Sequence, residues 1–187
     1  MAPSAMSNDP LDIAHAWPQP LAVAEATRGP VQRRLVADDA ARERIAKALG
    51  LDALIALDST VKVTPWLDGV QIDAKWKARV RQTCGVTLDP FESDLEGHVQ
   101  VRAVPEGSPA LGGLDEHELD LDPDADDPPD VLDSDQIYLG AYVVEDLSLA
   151  VDPFPRKPGA EFEAPAPSGE LSPFAVLAKL KGGAPDA

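Results

Sequence analysis

The chain has 187 residues, 44% of them hydrophobic, with 19 prolines, one cysteine and a formal net charge of -17. That length holds one ordinary core, or a smaller core with tails, and the proline count favours the second. The acidic balance argues against a general nucleic-acid binder, and the single cysteine excludes an intramolecular disulfide.

Residues 1–18 are rich in proline and small residues and read as a flexible N-terminal segment, with Trp17 tucked against the core. A single α+β domain is expected over 19–158. Pro20 to Glu25 and Val31 to Val36 read as short edge strands around a turn at Arg28-Gly29-Pro30. Asp38 or Asp39 caps a helix whose apolar positions Ala41, Ile45, Ala48 and Leu49 recur at helical spacing, and Gly50 stops it. Ile55, Leu57, Val61 and Val63 then alternate with polar residues, and Asp68-Gly69 signals a hairpin. A two-residue loop there would set Asp58 opposite Arg79 and Val63 opposite Ala74.

From Ile72 to Val80 the even positions are apolar, while Asp73, Lys75, Lys77, Arg79 and Arg81 occupy the odd ones. That alternation defines a strand with one buried and one wet face. From Phe91 to Ala103 the parity is reversed. Pairing the two around Gln82 to Pro90 sets Arg81 opposite Glu92, Arg79 opposite Asp94 and Lys77 opposite Glu96, with both apolar faces on one side. The expected fold is thus a three-stranded antiparallel meander covered by two helices.

Between Arg102 and Arg156 there are 15 acidic residues and no lysine or arginine. Within that interval, 105–135 lacks periodicity and reads as a disordered acidic loop. Leu139, Tyr142, Val143, Leu147, Ala150 and Val151 make the second covering helix, ended by an extended strap at Asp152-Pro153-Phe154-Pro155. Residues 159–187 are a linker plus a short helix over 172–181, with Ser172 as cap and Pro173 at the first helical position. Its apolar stripe of Phe174, Leu177 and Leu180 either docks back on its own domain or lies in a partner's groove.

Few constellations carry chemistry. Cys84 and the scattered His15, His98 and His117 do not have metal-ligand spacing, and no base is nominated beside Cys84. Asp120 to Asp126 alternate like the opening of a calcium loop, but Ala125 stands where glycine is needed and Val131 where the bidentate glutamate belongs. The row Lys75, Lys77, Arg79, Arg81 offers phosphate contacts, although its acidic cross-strand partners explain it structurally. No catalytic residue, metal site or cofactor is expected. Neither a membrane span nor a small-molecule substrate is expected either, and the protein reads as cytoplasmic.

Two stretches, Cys84-Gly-Val-Thr-Leu-Asp-Pro-Phe91 and the run from Asp127-Pro-Pro-Asp to Arg156-Lys-Pro-Gly159, resemble the YceD family, the large ribosomal RNA subunit accumulation proteins, in their alphaproteobacterial form. The resemblance covers roughly residues 20 to 160, and Ser172 to Lys181 looks like the end of the same subgroup. It implies a non-enzymatic role in accumulation or processing of large-subunit (23S) ribosomal RNA. The implied partners are a large-subunit precursor, a ribosomal protein or the RNA itself. Many members carry a second cysteine three positions after the first; here Thr87 stands there, which puts a metal role in doubt. The matched positions singled out by the resemblance are Cys84, Asp146, Pro153, Pro155 and Arg156. The competing reading is a general protein-interaction module that uses the Phe174 to Leu180 helix and has no connection with ribosomes.

Overall fold

A computed structural model describes residues 13–111 and 128–162. The tail helix expected over 172–181, with Phe174 and Leu177, and most of the acidic loop lie outside the described residues. In chain order the elements are α1 (Ile13–Ala16), β1 (Pro20–Ala22), α2 (Val23–Ala26), β2 (Val31–Val36), α3 (Asp39–Leu49), β3 (Ala53–Trp66), β4 (Gly69–Thr83), β5 (Pro90–Pro105), a 3-10 turn (Pro109–Leu111), β6 (Asp130–Leu132), β7 (Gln136–Tyr138) and α4 (Leu139–Ala150).

The fold is α+β. Five strands form one sheet in the order β2-β3-β4-β5-β6, antiparallel except for the short β5–β6 pairing. The expected three-strand meander is its centre, widened by β2 on one edge and by three residues of β6 on the other. The first expected edge strand joins neither edge. β1 pairs instead with β7 as a separate two-stranded ribbon, and residues 23–26 turn into α2. No local signal points to a partner so far along the chain.

The β4–β5 register is the one read from charge and burial, with Arg81 opposite Glu92, Arg79 opposite Asp94 and Lys77 opposite Glu96. The β3–β4 register differs by two residues: Asp58 faces Lys77 and Val63 faces Ile72. The turn is Leu67-Asp68, with Leu67 at φ 50, so Gly69 is already a strand residue opposite Trp66. Glycine is required at 69 because a Cβ there would run into the carbonyl of Ala103 on β5. A shift of two keeps the same face inward, and Leu57, Val61 and Val63 are buried. Nearer its start, β3 carries a register irregularity between Leu54 and Ala56, so Leu54 rather than Ile55 is the buried residue there.

α3 is capped as its sequence requires. The Asp38 carboxylate accepts from the Ala41 N–H at 2.8 Å, and Gly50 takes the left-handed conformation at φ 65. It lays Ala41 and Ile45 on β3, α4 lays Val143 and Leu147 on β4 and β5, and α1 packs between the two helices. Trp17 and Leu21 are buried with them. Among the described residues the helices thus cover one face of the sheet, and nothing covers the other.

Candidate interaction face and the Cys84 loop

On the open face, cross-strand partners form rows. Three rows are closed by ion pairs. Lys77 Nζ lies 3.4 Å from Glu96, Arg79 holds Asp94 with a two-pronged contact at 2.7 and 3.1 Å, and Arg81 reaches Glu92 at 2.7 Å. The hydrogen bond and charge of Asp94 hold the Arg79 guanidinium above its usual range, and Arg79 holds the Asp94 carboxyl below the usual carboxylate range. Three of the four cations singled out from the sequence are therefore already neutralised.

Lys75 is different. Its row runs Arg34, Thr60, Lys75, His98 across β2 to β5 and contains no carboxylate. Among the described residues Lys75 makes no ion pair, and neither does Lys62 in the next row beside Asp73. Asp73 itself contacts His98 Nε2 at 3.1 Å, and Arg34 reaches sideways to Asp58. Beyond them, the Arg102 guanidinium lies 5.1 Å from the centroid of the Trp66 ring. One end of the face is an ionic zipper; the other is polar, cationic and carries an aromatic ring.

On the inner face, Asp146 has a definite partner. Trp76, 2% exposed, donates its indole N–H to Asp146 Oδ2 at 2.7 Å. Gly97 lies directly opposite Trp76, and a Cβ there would sit 2.5 Å from the indole and 2.6 Å from the carboxylate. The missing side chain makes the space in which ring and carboxylate meet. The signal was present in the sequence as a glycine interrupting the apolar face of β5 opposite a tryptophan. One turn earlier on α4, burial pushes the Tyr142 phenol up, helped by the nearby carboxylate of Asp130. Burial, with Asp130 second, also raises Glu145.

The turn between β4 and β5 folds around Cys84, which has no exposed surface. Its backbone closes the loop through Cys84 N–H to Asp89 O and Leu88 N–H to Cys84 O, both at 2.9 Å. Its sulfur accepts from the N–H groups of Val86 at 3.4 Å, Thr87 at 3.5 Å and Lys157 at 3.3 Å. The last donor belongs to the strap after α4, which lies back along this loop. Gly85 N–H donates to Pro155 O at 2.9 Å, Gln82 Nε2 to Asp152 O at 3.0 Å, and Lys157 Nζ sits 3.6 Å from Asp89. The side-chain and backbone hydrogen bonds of Thr87, followed by the Lys157 N–H, pull the thiol down to about 6 in spite of its burial.

The structure therefore brings the Cys84 loop and the strap residue Pro155 together, and places Pro153 and Arg156 on the same strap with exposed side chains. Asp146 belongs to a different cluster under the sheet. No residue pattern signals the docking between strap and loop, because most of it is made by backbone groups that any residue supplies. Among the described residues no three His, Cys, Asp or Glu side chains converge in a metal-binding arrangement, and no helix is long and apolar enough to cross a membrane.

The family model described as large ribosomal RNA subunit accumulation protein YceD matches residues 72–181. The chain belongs to the YceD family. No curated protein and no solved structure matches it. The match starts in β4 and takes in the Cys84 loop, the Trp76–Asp146 contact and the strap, while α1 to β3 precede it. Membership in YceD implies a role in the accumulation of large-subunit ribosomal RNA. Lys75 and His98 lie within the matched stretch, and Arg34, Thr60 and Lys62 before it.

Proposed function

We propose that this protein supports large-subunit ribosomal RNA accumulation as a non-enzymatic cytoplasmic factor that binds a ribosomal precursor on the open face of its sheet. The observation that carries the reading is Lys75, which like Lys62 makes no ion pair among the described residues of a chain of net charge -17, whereas Arg34 and His98 in its row hold Asp58 and Asp73. Phosphate backbones are attracted to cations that are not already paired, and the zippered rows next to it offer none. Trp66 under Arg102 adds a stacking surface at the same end, of the kind single-stranded RNA uses. The inner-face cluster and the Cys84 loop serve in this reading as the frame that holds β4 and β5 flat against α4.

The test measures the ratio of mature large- to small-subunit ribosomal RNA in cells lacking the protein, complemented either with the wild-type chain or with Lys62→Glu/Lys75→Glu. Loss of the protein lowers the ratio and the wild-type copy restores it. The double variant, present at wild-type level, does not. In vitro, the same substitutions flatten the log-log salt dependence of binding to a labelled single-stranded RNA by about 1.4, at about 0.7 per phosphate contact. Full complementation by the double variant would remove the open face from the mechanism.

A further inference from the structure

β5 is paired with β4 from Pro90 to Ala103 on one side. On the other side β6 covers only Ala103 to Pro105, and among the described residues no strand and no loop backbone pairs with the edge from Glu92 to Arg102. Such an edge is a template of alternating N–H and C=O groups, and proteins usually blunt it with proline, lysine, a bulge or brevity. This stretch has no proline, no lysine and no register shift against β4.

Its charges are instead arranged in two blocks. The outward side chains are acidic in the first half, Glu92, Asp94 and Glu96, and then become His98, Gln100 and Arg102. We propose that two copies of this chain pair antiparallel along this edge, with the dyad at Gly97. Glu92 then faces Arg102 of the second copy, Asp94 faces Gln100, and Glu96 faces His98. On the inner side Ser93 faces Val101 and Leu95 faces Val99, so that half-buried apolar residues of both copies cover one another.

Neighbouring registers are worse. Moving the dyad to Glu96 sets that carboxylate against itself, and moving it to His98 leaves Glu92 without a partner. A displacement by one residue turns charged side chains onto the apolar face. Parallel pairing in register aligns the acidic halves. The end of the pairing is also set, because β6 takes over the edge at Ala103, and the residue just beyond Phe91 is Pro90, which has no N–H to give. The dyad keeps both helical layers on one side, giving one continuous sheet with two open cationic ends. This arrangement does not depend on the ligand of the open face.

Analytical ultracentrifugation of the full chain over a range of concentrations tests it, with circular dichroism reporting the fold of each variant. The wild type is expected to associate reversibly to a dimer. Glu92→Arg sets two arginines together and raises the dissociation constant about tenfold or more; adding Arg102→Glu brings it back. The reversal reports the contact between copies, because the double exchange does not rebuild the Arg81 ion pair within one copy. A chain with Glu96→Cys and His98→Cys is expected to give a covalent dimer on oxidation. A monomer at every concentration, or a dimer indifferent to Glu92→Arg, overturns the proposal.

Discussion

The two faces of the β4–β5 ribbon carry the same strands in the same register, yet they tolerate change very differently. Inside, Trp76, Asp146 and Gly97 interlock so closely that one added carbon has no room. Outside, Lys77, Arg79 and Arg81 meet their carboxylates in water, where each pair is screened and either partner can turn away. The inner face thus fixes how β5 and α4 sit, while the outer face is free to be selected for binding.

The largest effect is expected from Gly97→Val. It should cost about 3 kcal/mol or more, since both neighbours are held by packing and by each other. Thermal denaturation checks it, and a near-neutral result would mean that α4 is not seated as described. Next comes Asp146→Ala, which strands a buried indole N–H and should cost about 1–3 kcal/mol; Asp146→Asn keeps an acceptor and should recover most of it.

A smaller and pH-dependent effect is expected at Cys84. Its folded pKa is depressed from 9.0 to about 6, so the stability it contributes is present above pH 9 and is lost as the pH falls to about 6. The gap in melting temperature between wild type and Cys84→Ala should therefore narrow steadily from pH 9 to pH 6, and thiolate absorbance at neutral pH should vanish in the variant. A gap that is flat with pH would show that the N–H groups hold a thiol. The smallest effect belongs to the outer face: Arg81→Ala should cost about 0.5 kcal/mol or less, and salt should reduce it further. If it cost as much as Asp146→Ala, the contrast between the faces would fail.

What could be read from the sequence follows the range of the forces involved. The β4–β5 register was legible because alternating charge and alternating burial give the same answer at Arg81, Arg79 and Lys77. α3 was legible from its two caps. The β3–β4 register was missed by two residues because Gly69 looks like a turn glycine, whereas its real constraint is the backbone of Ala103, far along the chain. The place of β1 is hidden for the same reason, its partner β7 being remote. At the candidate sites, the basic row was visible as a row, but which of its members are free was not: that depends on β2 and β3 supplying Arg34, Thr60 and Lys62 as neighbours of Lys75. Cys84 and the strap lie far apart in the chain, and nothing in either segment announces the backbone hydrogen bonds that join them.

The pairing of β1 with β7 sets an order of events during synthesis. Leu21 leaves the ribosome roughly 115 residues before Ile137, the residue it faces. At about 5–20 residues per second, that gap lasts several seconds or longer. The meander of β3, β4 and β5 consists of adjacent strands and can close in that time, whereas Trp17 and Leu21 must wait in water for a partner that does not yet exist. A nascent chain stopped short of β7 is therefore expected to hold a folded centre and an exposed, aggregation-prone start. Completion of β7 and α4 would give α1 and β1 their partners in one late step.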